Sequence, residues 1–227
     1  MQNNISAVAF DLDGTLYPNY RLNLRLLPFI LREWRLLSAF GKARDAIRAG
    51  QEQNAGGKNG GGGCFYKEQA RLTAGFLKAD PLVIEEKIEK FIYRGWEPIF
   101  TKIKLFPYVP ETLCALKERG FKLGLLSDFP PNQKLANLGI GGLWDAVLCS
   151  EEINALKPDP RPFEALIKAL DCAPEQILYV GNSRRYDVAG AKRAGMRAAW
   201  VRFTADSAHN ADFVFRDYRQ LRKYMLD

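Results

Sequence analysis

The sequence predicts an α/β protein in which a doubly wound parallel sheet carries an all-helical segment inserted after its first strand. Three features carry that prediction. From about residue 105 onward, short apolar runs alternate with helical periods, the pattern of a parallel sheet covered on both faces. A short apolar run, Ile5 to Phe10, opens the chain and ends on a pair of acids. Between these regions, residues 19 to 104 show helical periodicity only. The expected division is therefore residues 1–18 and 105–227 as a Rossmann-like core, with residues 19–104 as a helical cap.

Taken in order, Ile5 to Phe10 reads as a buried strand. Leu22 to Ile47 has the period of one long helix, with Leu26, Leu27, Ile30, Trp34 and Leu37 as its apolar stripe. The tract Gly56 to Gly63 reads as a flexible loop; no strand precedes it and no Ser or Thr follows its lysine, so it is not a phosphate loop. Tyr66 to Leu77 and Pro81 to Tyr93 read as further helices. In the core, helices are expected at Glu111–Arg119, Asn132–Leu138, Pro162–Leu170, Asp187–Ala194 and Tyr218–Met225. Strands are expected at Phe121–Leu126, Ala146–Cys149, Ile177–Val180, Arg197–Val201 and Phe213–Phe215. Gly120, Gly139 and Gly195 close helices, as the C-terminal glycine rule requires. In parallel sheets, ligands bind beyond the carboxyl ends of the strands. Asp11, Ser127, Asn182 and Ser183 each follow a strand and should gather along one edge.

Composition narrows the chemistry. A chain of 227 residues, 47% of them hydrophobic, has ample length for a packed core. No apolar run approaches the ~20 residues that cross a bilayer, and no secretory leader opens the chain, so a cytoplasmic address is expected. The four cysteines are widely spaced and read as free thiols. His209 is the only histidine and falls near an expected surface turn, which excludes most chemistry that needs a Ser-His-Asp, Cys-His or multi-histidine metal site. Carboxylates must therefore do the chemistry. The net charge of +7 points to anionic partners, and Arg21, Arg25, Arg32, Arg35, Lys42, Arg44 and Arg48 concentrate it against only Glu33 and Asp45. A phosphorylated small molecule suits that charge. Nucleic acid is not expected, because the aromatic residues are scattered over core positions and no binding module is present.

Asp11 and Asp13, one residue apart at the tip of an apolar strand and followed by Gly14-Thr15, are the strongest functional signal. A plain turn or a calcium loop would not explain acids there; a calcium loop would also need a closing Glu. Asp11-Leu12-Asp13-Gly14-Thr15 resembles the first motif of the haloacid dehalogenase superfamily. Leu125-Leu126-Ser127 resembles the second, Lys157-Pro158-Asp159-Pro160 the third, and Gly181-Asn182-Ser183 through Asp187 the fourth. The resemblance runs from residue 5 to about 202.

It implies a Mg²⁺-dependent phosphomonoesterase working through an aspartyl-phosphate. Asp11 is then the nucleophile and Asp13 the general acid and base. Ser127 donates to the phosphoryl group, and Lys157 supplies a fixed positive charge. Asp128, Gly14 and Thr15 join Ser127 and Lys157 in the phosphate-binding set. The metal ligands implied are Asp11, Asp13 through its backbone carbonyl, Asn182 and Asp187. Asp187 also falls where it could cap its helix. Dehalogenases of the superfamily lack the second acid, since halide leaves unprotonated; Asp13 therefore favours phosphate ester cleavage. One departure stands out: the fourth motif usually begins Gly-Asp, whereas Asn182 offers a neutral oxygen and weaker metal binding. The helical insert resembles lids that select small phosphorylated metabolites, and Tyr20, Arg21 and Arg25 are candidate substrate contacts. A competing expectation is a catalytically weakened protein of the same fold that uses the basic helix at 22–48 to contact a partner or an anionic surface.

Overall fold

The computed structural model describes residues 4–53, 64–202 and 210–227. The Gly-rich tract and His209 lie outside them. Six parallel strands form one sheet in the order β3-β2-β1-β4-β5-β6. They are β1 (Ala7–Phe10), β2 (Lys122–Ser127), β3 (Ala146–Cys149), β4 (Ile177–Gly181), β5 (Arg197–Val201) and β6 (Phe213–Phe215). β1 pairs with both β2 and β4, Phe10 lying level with Leu125 and Val180. This central place makes β1 solvent-free on both faces, and every residue of the strand is buried. Alternate side chains enter different cores, as a period of two demands. Val8 and Phe10 pack with Leu123, Leu125, Leu178 and Val180 on one face. Ala7 and Ala9 pack with Phe163, Leu166, Ile177 and Tyr179 on the other. Both faces are covered, so the strands read as continuous apolar runs.

The helices between β1 and β2 are α1 (Asn19–Arg32), α2 (Trp34–Gln53), α3 (Phe65–Leu77), α4 (Pro81–Ile88) and the short α5 (Arg94–Trp96). A π-type turn at Glu89–Tyr93 precedes α5, and a 3₁₀ segment at Glu97–Lys102 follows it. The remaining helices are α6 (Val109–Glu118), α7 (Asn132–Asn137), α8 (Pro160–Leu170), α9 (Ala189–Arg193) and α10 (Tyr218–Leu226). The single long helix expected at 22–47 is two, broken at Glu33. The buried face differs accordingly. Leu22 and Leu26 join the sheet core, whereas Leu36 and Phe40 join Ala70, Ala74, Ile84, Ile88 and Ile92 in a separate core. Leu27 and Trp34, expected in the stripe, are exposed. Among the described residues no helix is long and apolar enough to cross a membrane.

Candidate active site

Asp11 follows the last residue of β1, and its amide donates to the Val180 carbonyl at 2.9 Å, extending the pairing with β4. Ser127 ends β2, and Asn182 follows β4 directly. The parallel register thus brings the expected polar residues to one sheet edge. Gly14 makes the turn that follows possible. Its φ is +86°, and a Cβ there would lie 2.2 Å from Asn182 Nδ2 and 2.5 Å from Asn19 Nδ2. The same packing places the Asn182 side chain against the first acidic loop.

Lys157 is the centre of the arrangement. Only 3% exposed, its Nζ donates to Asp11 Oδ1 at 2.6 Å and to Asp187 Oδ1 at 2.7 Å. It also reaches the Tyr179 hydroxyl at 3.2 Å and the Leu126 carbonyl at 3.3 Å. Burial alone would lower the lysine, but Asp11 and Asp187 together hold it charged, well above its ordinary value. Asp11 fares differently, because two buried anions share that one cation. Burial, with Asp187 and Asp13 nearby, pushes its carboxyl up to about 7 despite Lys157. The Thr15 hydroxyl donates to Asp11 Oδ2 at 2.7 Å and fixes the carboxylate plane.

Asp187 lies within a π-type turn, Arg184–Val188, and not at a helix cap. The cap role belongs to Ser183, whose hydroxyl accepts from the Tyr186 amide at 3.1 Å. The Ser183 amide in turn donates to Asp187 Oδ2 at 2.9 Å. From this turn Asp187 meets Lys157 through Oδ1, and π turns are frequent at functional sites.

Asp13 stands apart from this cluster. Lys134 Nζ donates to both of its carboxylate oxygens at 2.9 Å, and the Tyr17 hydroxyl donates to Oδ1. Lys134 itself is 9% exposed, with its ammonium 5.1 Å from the ring centres of both Phe100 and Phe129. It also lines a cavity of about 360 Å³ walled by Tyr66, Tyr93, Trp96, Phe100 and Phe129. Sequence reasoning missed Lys134, whose only mark was its place in the helix after the Pro130-Pro131 turn.

Asp128, expected in the phosphate-binding set, is held by side-chain and backbone donors. Its carboxylate accepts from Arg48 Nη2 at 2.9 Å and from the Lys157 amide at 3.1 Å. Burial would raise it, but Lys157, Arg44 and Arg48 hold it below the usual carboxylate value. Deeper in, Arg44 pairs with Glu151, and Gln69 Oε1 and the Tyr93 hydroxyl complete that cluster. Burial raises Glu151 even so. Neither Arg44 nor Glu151 was legible as a pair. Tyr20 and Arg21, candidate substrate contacts, bond each other at 3.2 Å, and Tyr20 and Arg25 are exposed.

Among the described residues no three Asp, Glu, His or Cys side chains converge to hold a metal ion. The donor chemistry still suits Mg²⁺. Asp11 and Asp187 converge closely enough to share one cation, and Asn182 lies against the Asp13-Gly14 loop. The two carboxylates are hard oxygen donors, Asn182 faces Gly14 with its Nδ2 and would have to turn its Oδ1 to join them, and Mg²⁺ takes few protein ligands while keeping waters.

The family model of haloacid dehalogenase-like hydrolases matches residues 5–195. Glyceraldehyde 3-phosphate phosphatase of Methanopyrus kandleri is 30% identical over 220 residues, covering 87% of this chain and 84% of that protein. The protein of that name from Methanothermobacter thermautotrophicus is 37% identical over 105 residues, and there the match spans about half of each, 45% and 46%. The crystal structure of an HAD phosphatase from Thermococcus onnurineus superposes with a TM-score of 0.65 at 28% identity, over 98% of each chain.

Proposed function

Because the chain belongs to the haloacid dehalogenase-like hydrolases, we propose that it is a Mg²⁺-dependent phosphomonoesterase acting on a small phosphorylated metabolite. The observation that carries this reading is Asp13. A second acid, two residues beyond the buried Asp11 and fixed by Lys134 and Tyr17, is what an alkoxide leaving group needs and a halide does not. The names of the relatives, glyceraldehyde 3-phosphate phosphatases, agree with a small substrate, as does a cavity of about 360 Å³ beside Lys134. Residues 19–104 act as the cap that selects it.

In the first step the Asp11 carboxylate attacks phosphorus and becomes an aspartyl-phosphate, while Asp13 protonates the departing oxygen. In the second, Asp13 takes a proton from the water that hydrolyses the acyl phosphate. Lys157 holds Asp11 in line throughout and presents positive charge to the transferring group. Ser127, with the amides of the loops after β1 and β2, binds the phosphoryl oxygens. Bound through Asp11, the Asp13 carbonyl, Asn182 and Asp187, Mg²⁺ would supply charge that offsets the repulsion between carboxylate and phosphate. The free cysteines agree with a cytoplasmic setting.

The test is release of phosphate from p-nitrophenyl phosphate and a metabolite panel by wild type, by Asp11→Asn and in EDTA. Turnover that is lost with both changes supports the assignment; equal release by wild type and Asp11→Asn refutes it. Asn182 is the observation that favours a non-catalytic binding role, and negligible turnover over the whole panel would establish that alternative.

A further inference from the structure

Helix α1 is apolar on two opposite sides. At about 100° per residue, Leu22, Leu26, Phe29 and Ile30 share the side that packs on the sheet core. Tyr20, Leu24, Leu27 and Leu31 share the other side and are 59%, 66%, 47% and 69% exposed. Trp34, the first residue of α2 beyond the break at Glu33, is also exposed, at 62%. Within α1, steps of four, three and four residues draw Tyr20, Leu24, Leu27 and Leu31 into one straight stripe. A surface helix ordinarily turns charge toward water; this one turns leucines outward. Arg21, Arg25 and Arg32 lie along one flank of the stripe, Arg35 follows in α2, and Glu33 is the only acid between residues 19 and 44.

We propose that this face docks on an anionic lipid membrane, with the axis of α1 lying in the plane of the headgroups. An outward leucine row bordered by arginines matches apolar acyl chains beneath a negatively charged surface. Tyr20 and Trp34, aromatic residues with polar tips, stand at the two ends of the leucines, and such rings settle at headgroup depth. A second copy of the chain fits worse. Antiparallel twofold pairing of the stripe would set the arginine flank of one helix against that of the other, with only Glu33, which pairs with Arg32 of its own chain at 3.2 Å, to offset it. The docking rests on the exposed face alone and is independent of the phosphatase reading.

The experiment is co-sedimentation of the full chain with vesicles of phosphatidylcholine alone and with about one-third phosphatidylglycerol. Binding roughly ten-fold stronger on the anionic vesicles is expected, falling with added salt. Leu24→Glu/Leu31→Glu should abolish it, and Arg32→Gln/Arg35→Gln should reduce it several-fold. All four positions are exposed, and none belongs to the proposed catalytic set, so circular dichroism and p-nitrophenyl phosphate turnover should match wild type. No difference between the two vesicle types, or binding that survives Leu24→Glu/Leu31→Glu, overturns the proposal. So does a dimer in sedimentation equilibrium that those substitutions dissolve, since a second copy would then cover the stripe.

Discussion

Lys134 touches both oxygens of Asp13 at 2.9 Å, which gives the proposed general acid a fixed direction before any ester arrives. If that orientation matters, its loss should depend on how much the leaving group needs a proton. Lys134→Met is expected to lower kcat/KM for alkyl phosphates by about 10- to 100-fold. The loss should be much smaller for p-nitrophenyl phosphate, whose leaving group departs well unprotonated, and Lys134→Arg should recover part of it. Equal losses on both substrates would make Lys134 a structural counter-ion only. Asn182 supports a second expectation at this scale. Its side chain already lies against Gly14, so Asn182→Asp would add a negative charge beside the proposed metal ligands. Calorimetric titration of Mg²⁺ into metal-free protein should show affinity rising by about ten-fold. Unchanged affinity would remove Asn182 from the metal shell. Of these residues, Asp11, Asp13, Lys157 and Asp187 were legible because each sits in a short motif tied to a strand end. Lys134 and the Arg44–Glu151 pair were not. They meet their partners 121 and 107 residues away in sequence, through packing of helices that no local pattern encodes.

At the scale of elements, the junction of β4 with the π-type turn governs the site. A Cβ on Gly181, the last residue of β4, would lie 2.3 Å from Asp187 Cβ and 2.5 Å from its Cγ. Gly181→Ala must therefore displace the carboxylate that shares Lys157 with Asp11. Turnover should fall about 100-fold, since small misplacements of positioning groups have that effect, and stability should fall by about 1–3 kcal/mol. Gly190→Ala is the control. Its Cβ would meet the Phe163 ring at 2.3 Å, on the sheet face behind the chemistry. Urea denaturation should show a similar loss of stability, while most of the turnover survives. If both variants lose activity in proportion to stability, Gly181 has no special link to the site. Elements were legible where apolar runs were short and bounded. β3, β5 and β6 fall on their expected residues, Ala146–Cys149, Arg197–Val201 and Phe213–Phe215. The break at Glu33 and the π-type turns were not, because a change of helical hydrogen bonding leaves the period of apolar residues almost intact.

At the scale of the whole molecule, the site opposes the fold that builds it. The central strand β1 delivers Asp11 into a place where Lys157 must serve two buried carboxylates. Asp11 is raised from 3.8 to about 7 in the folded protein, so the folded state binds its proton more tightly than the unfolded chain does. Linkage then fixes the sign. The favourable contribution is fully present below the unfolded value near 4 and is lost as pH rises toward 7. Asp128 runs the other way. Its lowered carboxyl contributes stability above the unfolded value that disappears only as acid protonates it. Between pH 5 and 8 the Asp11 effect therefore stands alone of the two, and metal-free protein should weaken as pH rises through that window. Asp11→Asn removes the charge while keeping the shape and leaves Lys157 to Asp187. In EDTA at pH 8 it should stabilise the protein by on the order of 1–3 kcal/mol, and by little at pH 5. For a chain of this size that is a rise in Tm of about 2–4 °C per kcal/mol, read by differential scanning calorimetry at both pH values. A variant equally or less stable than wild type at pH 8 would mean that Lys157 fully compensates both carboxylates, and that the proposed nucleophile is held at no cost to the fold.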